Sequence, residues 1–159
     1  MSAPLRVSTP NDTDILVVRT FNAPREMVWR CFHTPELVTR WLLGPEGWTM
    51  PVCEIDARPG GRFRYVWAHP DGRDLKMSGS YVEVVPPGRT VHIENFEEDW
   101  ASDPTTVTTL FTEAGGVTTV SMTIRFSSMD ARDGARATGM TDGMEAGYAR
   151  LDAILPELA

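Results

Sequence analysis

Two side chains suited to acid–base chemistry lie two positions apart in the segment RTVHIENF, residues 89–96. The segment is rich in β-branched residues and is predicted to form a strand, in which alternate side chains share a face. We therefore expect His92, Glu94 and Phe96 on one face of it. An imidazole beside a carboxylate can hold a bound molecule in one orientation or exchange protons with it. If the strand turns its other face to the interior, both groups are solvated and neither role applies.

Aromatic residues are concentrated in a second segment, RPGGRFRYVW, residues 58–67. Its paired glycines supply the backbone freedom that a tight turn between strands requires. After the turn, alternation places Phe63, Tyr65 and Trp67 on one face. Phe63 is expected in the core, whereas Tyr65 and Trp67 carry polar atoms that need partners when buried. Both are therefore candidates for the wall of a pocket.

The same segment resembles two nucleic-acid or nucleotide motifs only loosely. An RNA-binding strand needs a small residue between its aromatic residues, where this chain has Arg64. A phosphate-binding glycine loop precedes a helix, whereas these glycines lie between two predicted strands. The net charge of −7 and the pI of about 4.9 also oppose contact with polyanions. We therefore expect no nucleic-acid partner.

Composition and motifs exclude several other classes. No apolar run reaches the roughly 18 residues of a membrane helix, and the first residues do not form a secretory signal. A cytoplasmic protein without membrane insertion is therefore expected. Cys31 and Cys53 belong to no CxxC pattern and are expected to be free thiols. The three histidines lie on different predicted elements and no nucleophile signature is present, so neither a metal nor another cofactor is predicted.

The pattern along the chain predicts one domain over residues 13–159, preceded by a flexible tail over residues 1–12. A β-branched run opens the domain and is followed by two short helices, each beginning at a proline. Six further strand-like runs are separated by turns rich in glycine, proline and acidic residues. Residues 129–158 return to helical periodicity and predict one long helix, which contains three glycines spaced four residues apart.

These elements predict an α+β fold. Seven antiparallel strands form a curved sheet, and only the long C-terminal helix can cover its apolar face. A twisted sheet around one helix leaves space near one end, where the two short helices form a wall and a ligand cavity is expected. The glycines of the helix are expected either to allow close packing or to loosen its first half so that a ligand can enter.

Four stretches of the sequence, taken in order, resemble one known family. APREMVWRCFHTPELVTRWLLGPEGW lies near the start, RPGGRFRY and GSYVEVVPPGRTV lie in the middle, and GMEAGYARLDAIL lies at the end. They are similar to the activator of heat-shock-protein-90 ATPase homologue family. That family belongs to the START-like, birch-pollen-allergen-like helix-grip superfamily.

The resemblance implies the helix-grip fold and an internal cavity for a small, largely apolar ligand. The fold also serves lipid carriers, cyclase-like enzymes and proteins that bind toxic natural products. The resemblance further implies that His92 and Glu94 face the cavity, at positions where the family usually has large apolar or aromatic residues. Tyr148 stands where the family typically has tryptophan. The eukaryotic activator has an additional N-terminal domain that this chain lacks, so a chaperone partner is not expected.

We expect the domain to bind a small hydrophobic molecule without catalysis, as a carrier, a sensor or a sequestering protein. One alternative is a cyclase- or hydrolase-like enzyme that uses an acid/base pair, and another is a chaperone-associated protein-interaction module. A homodimer is compatible with each. The predicted polar contacts are His92 and Glu94, and the predicted apolar wall consists of Trp41, Trp48, Tyr65, Trp67, Met77, Tyr81, Phe96, Met140, Met144 and Tyr148.

Overall fold

A computed structural model describes residues 4–97 and 103–159. In these ranges the chain forms eight strands and four helices. The strands are β1 (Arg6–Ser8), β2 (Asp14–Phe21), β3 (Thr49–Ile55), β4 (Arg62–Ala68), β5 (Asp74–Val85), β6 (Arg89–Phe96), β7 (Thr105–Ala114) and β8 (Val117–Arg125). The helices are α1 (Arg25–His33), α2 (Pro35–Trp41), α3 (Met129–Ala137) and α4 (Met140–Leu158).

The eight strands form one antiparallel sheet in the order β1-β2-β8-β7-β6-β5-β4-β3. Helices α1, α2 and α4 pack on one face of it, which we call the inner face. This arrangement confirms the predicted α+β helix-grip fold, although the predicted strand count of seven is one too low. The additional strand, β1, pairs with β2 and lies in the segment expected to be a tail. Its three residues are all exposed, so no alternation of burial could reveal it in the sequence.

The predicted C-terminal helix is two helices in the structure. Helix α3 ends at Ala137 and α4 begins at Met140, with Gly139 between them at a φ of 78°. Glycine adopts this left-handed conformation without steric cost, and the conformation interrupts the helix. The prediction of one helix over residues 129–158 is therefore wrong, because helical spacing on both sides of the glycine hid the break.

Apolar side chains on the inner face form two clusters. The first joins α1 and α4 to β2, β7 and β8, with Phe21 and Leu151 among its members. The second lies between α2 and strands β3 to β5, with Val38 and Phe63 among its members. Helix α1 packs over the first cluster, whereas α2 contributes to both, with Trp41 in the first and Val38 in the second.

Helix α4 packs against the sheet mainly through its second half. All of its buried residues lie between Gly147 and Leu155. In the first half, Met140 and Met144 pack against the first cluster but stay partly exposed. The first half of α4 therefore covers the inner face less completely than the second half does.

A close approach between α4 and α2 depends on Gly147. A Cβ atom added there would lie 2.9 Å from the Trp41 carbonyl oxygen, whereas one added at Gly143 would lie 3.5 Å from Pro45 Cδ. The first distance requires a shift of backbone, and the second is an ordinary contact.

We expect Gly147→Ala to lower the free energy of unfolding by about 1 kcal/mol, because overpacking outweighs the gain in helix propensity. The matched variant Gly143→Ala should instead raise it by up to about 1 kcal/mol. Urea unfolding measures both values. Equal stabilisation by the two substitutions would contradict the close approach at Gly147.

Candidate functional site

The register of β6 turns His92 and Glu94 toward the inner face. His92 lies opposite Tyr81 of β5 and Val107 of β7, which are only 5% and 1% exposed. Cross-strand partners share a face of the sheet, so His92 and, two residues on, Glu94 lie on the side that the helices cover. Their role as ligand contacts stays a prediction.

His92 and Glu94 are hydrogen-bonded to each other, with 3.0 Å between Nε2 and Oε2. Their side chains are 16% and 24% exposed. The rings of Phe63 and Tyr81 approach the imidazole edge-on, at centroid distances of 5.3 and 5.9 Å. The pair is thus a partly sheltered polar group among aromatic rings, and it can orient a ligand or exchange a proton with one.

Three tyrosines from different elements lie on the same side of the sheet as this pair, and one of them, Tyr81, lies directly opposite His92. Tyr65 of β4, Tyr81 of β5 and Tyr148 of α4 are all buried. Burial is the main cause that raises the pKa of each phenol, and the negative charge of Glu94 raises each pKa further. Within residues 4–97 and 103–159, none of the three hydroxyls makes a hydrogen bond. Buried hydroxyls normally have partners, so these are groups that a bound molecule could satisfy.

His33, at the end of α1, is a further polar group that the sequence analysis did not single out. Its Nδ1 lies 2.8 Å from the carbonyl oxygen of Trp29. A carbonyl only accepts, so Nδ1 carries the proton and the neutral ring leaves Nε2 as an acceptor. Burial lowers the pKa of His33 to about 4, although the hydrogen bond to Trp29 acts in the opposite direction. Its ring centroid lies 6.2 Å from that of Tyr81.

These side chains lie where the two apolar clusters meet. Tyr65 and Tyr81 belong to the second cluster, whereas Tyr148 belongs to the first. Polar groups from α1, α4, β4, β5 and β6 therefore converge in an otherwise apolar interior. We call this set the polar seam, and it consists of His33, Tyr65, Tyr81, His92, Glu94 and Tyr148.

Beside the polar seam, one end of the inner face is open to solvent. Met77 lies opposite Tyr65 on one side and opposite Phe96 on the other. Met77, Phe96 and Trp67 are each only partly buried. Trp67 is held in place by a hydrogen bond of 2.7 Å from Nε1 to the carbonyl oxygen of Leu42. A small molecule could therefore reach the polar seam from this end.

Two tryptophans of the predicted wall differ in position, since Trp41 contacts Tyr148 of the polar seam and Trp48 lies at a hairpin. Trp41 is 2% exposed, and its Nε1 donates a 3.0 Å hydrogen bond to the Cys31 carbonyl oxygen. Its ring stacks on that of Tyr148 at 5.7 Å, within the first cluster. Trp48 packs against His69 and Arg73, at the hairpin between β4 and β5. The structure does not bring Trp48 together with the polar seam.

Two open surface grooves also lie elsewhere. One, of about 470 Å³, is lined by residues of β1, α3 and α4, including Val7 and Arg136. The other, of about 370 Å³, includes Arg64 and Glu97, which form an ion pair on the outer face. Neither is lined by the His92–Glu94 pair, so the expected internal cavity stays a prediction.

A buried arginine joins the sheet to α4. Arg19 of β2 has a side chain that is 4% exposed and lies on the inner face. Its guanidinium contacts Glu145 at 2.7 Å and Asp152 at 2.8 Å, both on α4. The sequence analysis missed this residue, although Arg19 is in phase with the buried Ile15 and Val17. These two ion pairs connect β2 to α4 and so help to position the helix on the sheet.

Metal binding and membrane insertion find no support in the part of the chain that the structure describes. There, no group of three or more histidine, cysteine or acidic side chains could hold a metal ion. Similarly, no helix of residues 4–97 and 103–159 is long and apolar enough to cross a membrane.

A curved antiparallel sheet that grips a C-terminal helix, with polar groups at the join, defines a helix-grip protein. Residues 22–156 match the family described as "Activator of Hsp90 ATPase homolog 1-like protein". The chain belongs to this family, which confirms the resemblance inferred from the sequence. A comparison with curated proteins finds no match.

Solved structures show the same architecture. A crystal structure from Rhodobacter sphaeroides is 30% identical with a TM-score of 0.91, and the match covers 98% of this chain and 99% of that one. Protein Ms6760 from Mycobacterium smegmatis is 24% identical with a TM-score of 0.84, covering 96% and 97%. An AHSA1-like protein from Aeromonas hydrophila is 20% identical with a TM-score of 0.70, covering 87% and 92%. The last two comparisons support the fold alone.

The lowered pKa of His33 predicts a pH dependence of stability. The unfolded chain binds a proton at His33 below a pH of about 6.5, whereas the folded chain resists it until about 4. The free energy of unfolding therefore falls as the pH drops through this window, by up to about 3 kcal/mol at roughly 1.4 kcal/mol per pH unit.

In His33→Phe this contribution to the pH dependence should disappear, as measured by urea unfolding across the window. The control His69→Gln changes a histidine on the β4–β5 hairpin and should retain it. An unchanged pH profile in His33→Phe would mean that the folded protein accommodates the imidazolium.

The buried pairs of Arg19 predict a large effect on stability. We expect Arg19→Met to lower the free energy of unfolding by about 2–3 kcal/mol, because two carboxylates lose a buried counter-charge. The control is Arg40→Met, since Arg40 also pairs with α4, through Glu157 at 3.0 Å, but on the surface. That variant should cost less than about 1 kcal/mol in the same urea titration. Similar losses in both would show that burial adds nothing to the Arg19 pairs.

Proposed function

We propose that this protein binds a small, largely apolar molecule between the inner face of the sheet and the less buried first half of α4. Binding is non-catalytic, as in a carrier, a sensor or a sequestering protein. The family and the helix-grip fold support a ligand-binding domain in general. The open end at Trp67, Met77 and Phe96 supports this location within it.

The observation that carries the proposal is the polar seam. Burying a polar group without a hydrogen bond costs free energy, so folded proteins normally pair such groups. Here Tyr65, Tyr81 and Tyr148 are buried on the side of the sheet that carries Glu94, and their hydroxyls make no hydrogen bond within the described ranges. A ligand with an apolar body and a polar end satisfies the seam and covers the exposed apolar side chains beside it.

A second candidate function is acid–base catalysis by His92 and Glu94. Their 3.0 Å hydrogen bond supports it, because a carboxylate that orients an imidazole is a common arrangement for proton transfer. Catalysis differs from binding in one measurable respect. An enzyme loses turnover in both His92→Gln and Glu94→Gln, even at saturating ligand, whereas a carrier has no turnover to lose.

The setting we propose is the cytoplasm, with no chaperone partner required. Cys31 and Cys53 are both free thiols in the structure, which suits a reducing compartment. A homodimer is compatible with the proposal. The proposed site lies on the inner face of a single chain, so ligand binding does not depend on whether two chains associate.

The proposal is tested with N-phenylnaphthylamine, a neutral probe whose fluorescence rises in apolar surroundings. We expect saturable binding of one probe per chain. Met77→Arg should weaken it at least about tenfold, because a charge then lies at the open end and must be desolvated when the probe binds. The matched control Ile93→Arg adds the same charge on the outer face of β6, where Ile93 is 38% exposed.

Circular dichroism and thermal unfolding establish that both variants are folded. Probe binding that is absent from the wild type, or equal in the two arginine variants, would refute a site at this place. Mass spectrometry of small molecules released from the purified protein then identifies what the site holds in the cell.

A further inference from the structure

We infer that the ligand's polar end is a hydroxyl group and that the polar seam selects against carboxylates with the same apolar body. This inference rests on the proposed function, since it names the chemistry of the molecule that the site takes. It follows from the charges and the hydrogen-bonding groups that surround Glu94.

In the strands that the structure describes, no lysine or arginine on the inner face is available to an anionic ligand. Arg19 is the only lysine or arginine at an inner-face position of the strands that the structure describes. Its guanidinium is already held by Glu145 and Asp152. On α4, Arg150 donates a 2.6 Å hydrogen bond to the carbonyl oxygen of Gly44. These cations are therefore committed to contacts within the protein.

Glu94 makes the seam unfavourable for a second carboxylate. Its Oε2 is bonded to His92, and its Oε1 makes no hydrogen bond within residues 4–97 and 103–159. Two like charges a few ångströms apart in a partly buried site weaken binding by about tenfold or more. A ligand that donates a hydrogen bond to Oε1 is instead attracted to the carboxylate, and its binding is strengthened.

Two kinds of ligand group can donate a hydrogen bond to Glu94, a hydroxyl and a protonated amine. The tyrosines and His33 determine which of the two forms more hydrogen bonds. A phenol hydroxyl both donates and accepts, and Tyr81 lies directly opposite His92, the partner of Glu94, with 5.9 Å between the two ring centroids. A ligand hydroxyl can donate to Glu94 while it accepts from a tyrosine. A protonated amine can donate to Glu94 or to Nε2 of His33, but it has no lone pair with which to accept. A ligand hydroxyl can therefore form hydrogen bonds with more groups of the polar seam than an ammonium group can.

Three ligands that share the same ten-carbon chain and differ in their polar end distinguish a hydroxyl, a carboxylate and an ammonium group: decanol, decanoate and decylammonium. Each is titrated at neutral pH against the bound N-phenylnaphthylamine probe. We expect decanol to displace the probe at concentrations at least about tenfold lower than decanoate does. Apolar surroundings alone also favour an alcohol over its carboxylate, so the ratio in a charge-free variant is the decisive quantity.

Glu94→Gln keeps the size of the side chain and removes its charge. We expect the decanoate affinity to rise and the preference for decanol to shrink at least about threefold, as a partial relief of the like-charge repulsion. The control is Glu97→Gln, which removes a carboxylate that pairs with Arg64 on the outer face. It should leave the preference unchanged.

The outcomes separate this inference from the proposed function. A probe that does not bind the wild type at all refutes the binding site itself. Binding with an unchanged decanol preference in Glu94→Gln, or with decanoate preferred in the wild type, overturns selection by Glu94 and leaves the binding site standing. Stronger displacement by decylammonium than by decanol overturns the hydroxyl in favour of a cation.

Discussion

The contact of Arg19 with Glu145 and Asp152 fixes the helix on the sheet, and the remaining features of the interior depend on it. A guanidinium that is 4% exposed must be compensated by nearby carboxylates, so α4 has one permitted position along β2. That position brings Tyr148, three residues from Glu145, over the inner face, where its ring meets those of Phe21 and Trp41. Glu145 lies just before Gly147 and Asp152 lies after it, so these contacts hold the middle of α4, and the partly exposed Met140 and Met144 lie before them.

The polar seam lies at the boundary between the two apolar clusters of the inner face. Helices α1 and α4, together with Trp41 of α2, bury one cluster, and Val38 of α2 belongs to the other, so the two meet near the strands that carry Tyr81 and His92. Apolar side chains there would fuse the clusters into one core and add stability. The chain instead has an imidazole, a carboxylate and three phenols at this boundary. Groups that cost stability unless partnered are more readily explained by a bound molecule than by packing.

The fold could be predicted further from the sequence than the site. Alternation in β4 and β6 established which residues share a face, and proline-initiated helices were visible as such. Arg19 was overlooked because arginine in a strand is usually solvated, although its phase with Ile15, Val17 and Phe21 pointed inward. His33 approaches Tyr81, and Tyr148 covers the same face of the sheet, only through the tertiary fold, since these residues are far apart in the chain. No local pattern reports such a convergence.

Selection at this site is best understood as a fixed polar end combined with an adaptable apolar wall. His92 is hydrogen-bonded to Glu94 and contacts two aromatic rings, and Trp67 is hydrogen-bonded to the backbone of Leu42. These contacts restrict the movement of the side chains around the polar end. Methionine side chains adjust to irregular apolar shapes, and Met77, Met140 and Met144 are partly exposed. A wall of this kind discriminates weakly between apolar bodies, because a methylene more or less changes binding by only about 1–3 kcal/mol. A partly buried charge discriminates more strongly between polar ends, so in the proposed site the chemistry of that end, more than the shape of the body, would decide which molecule binds.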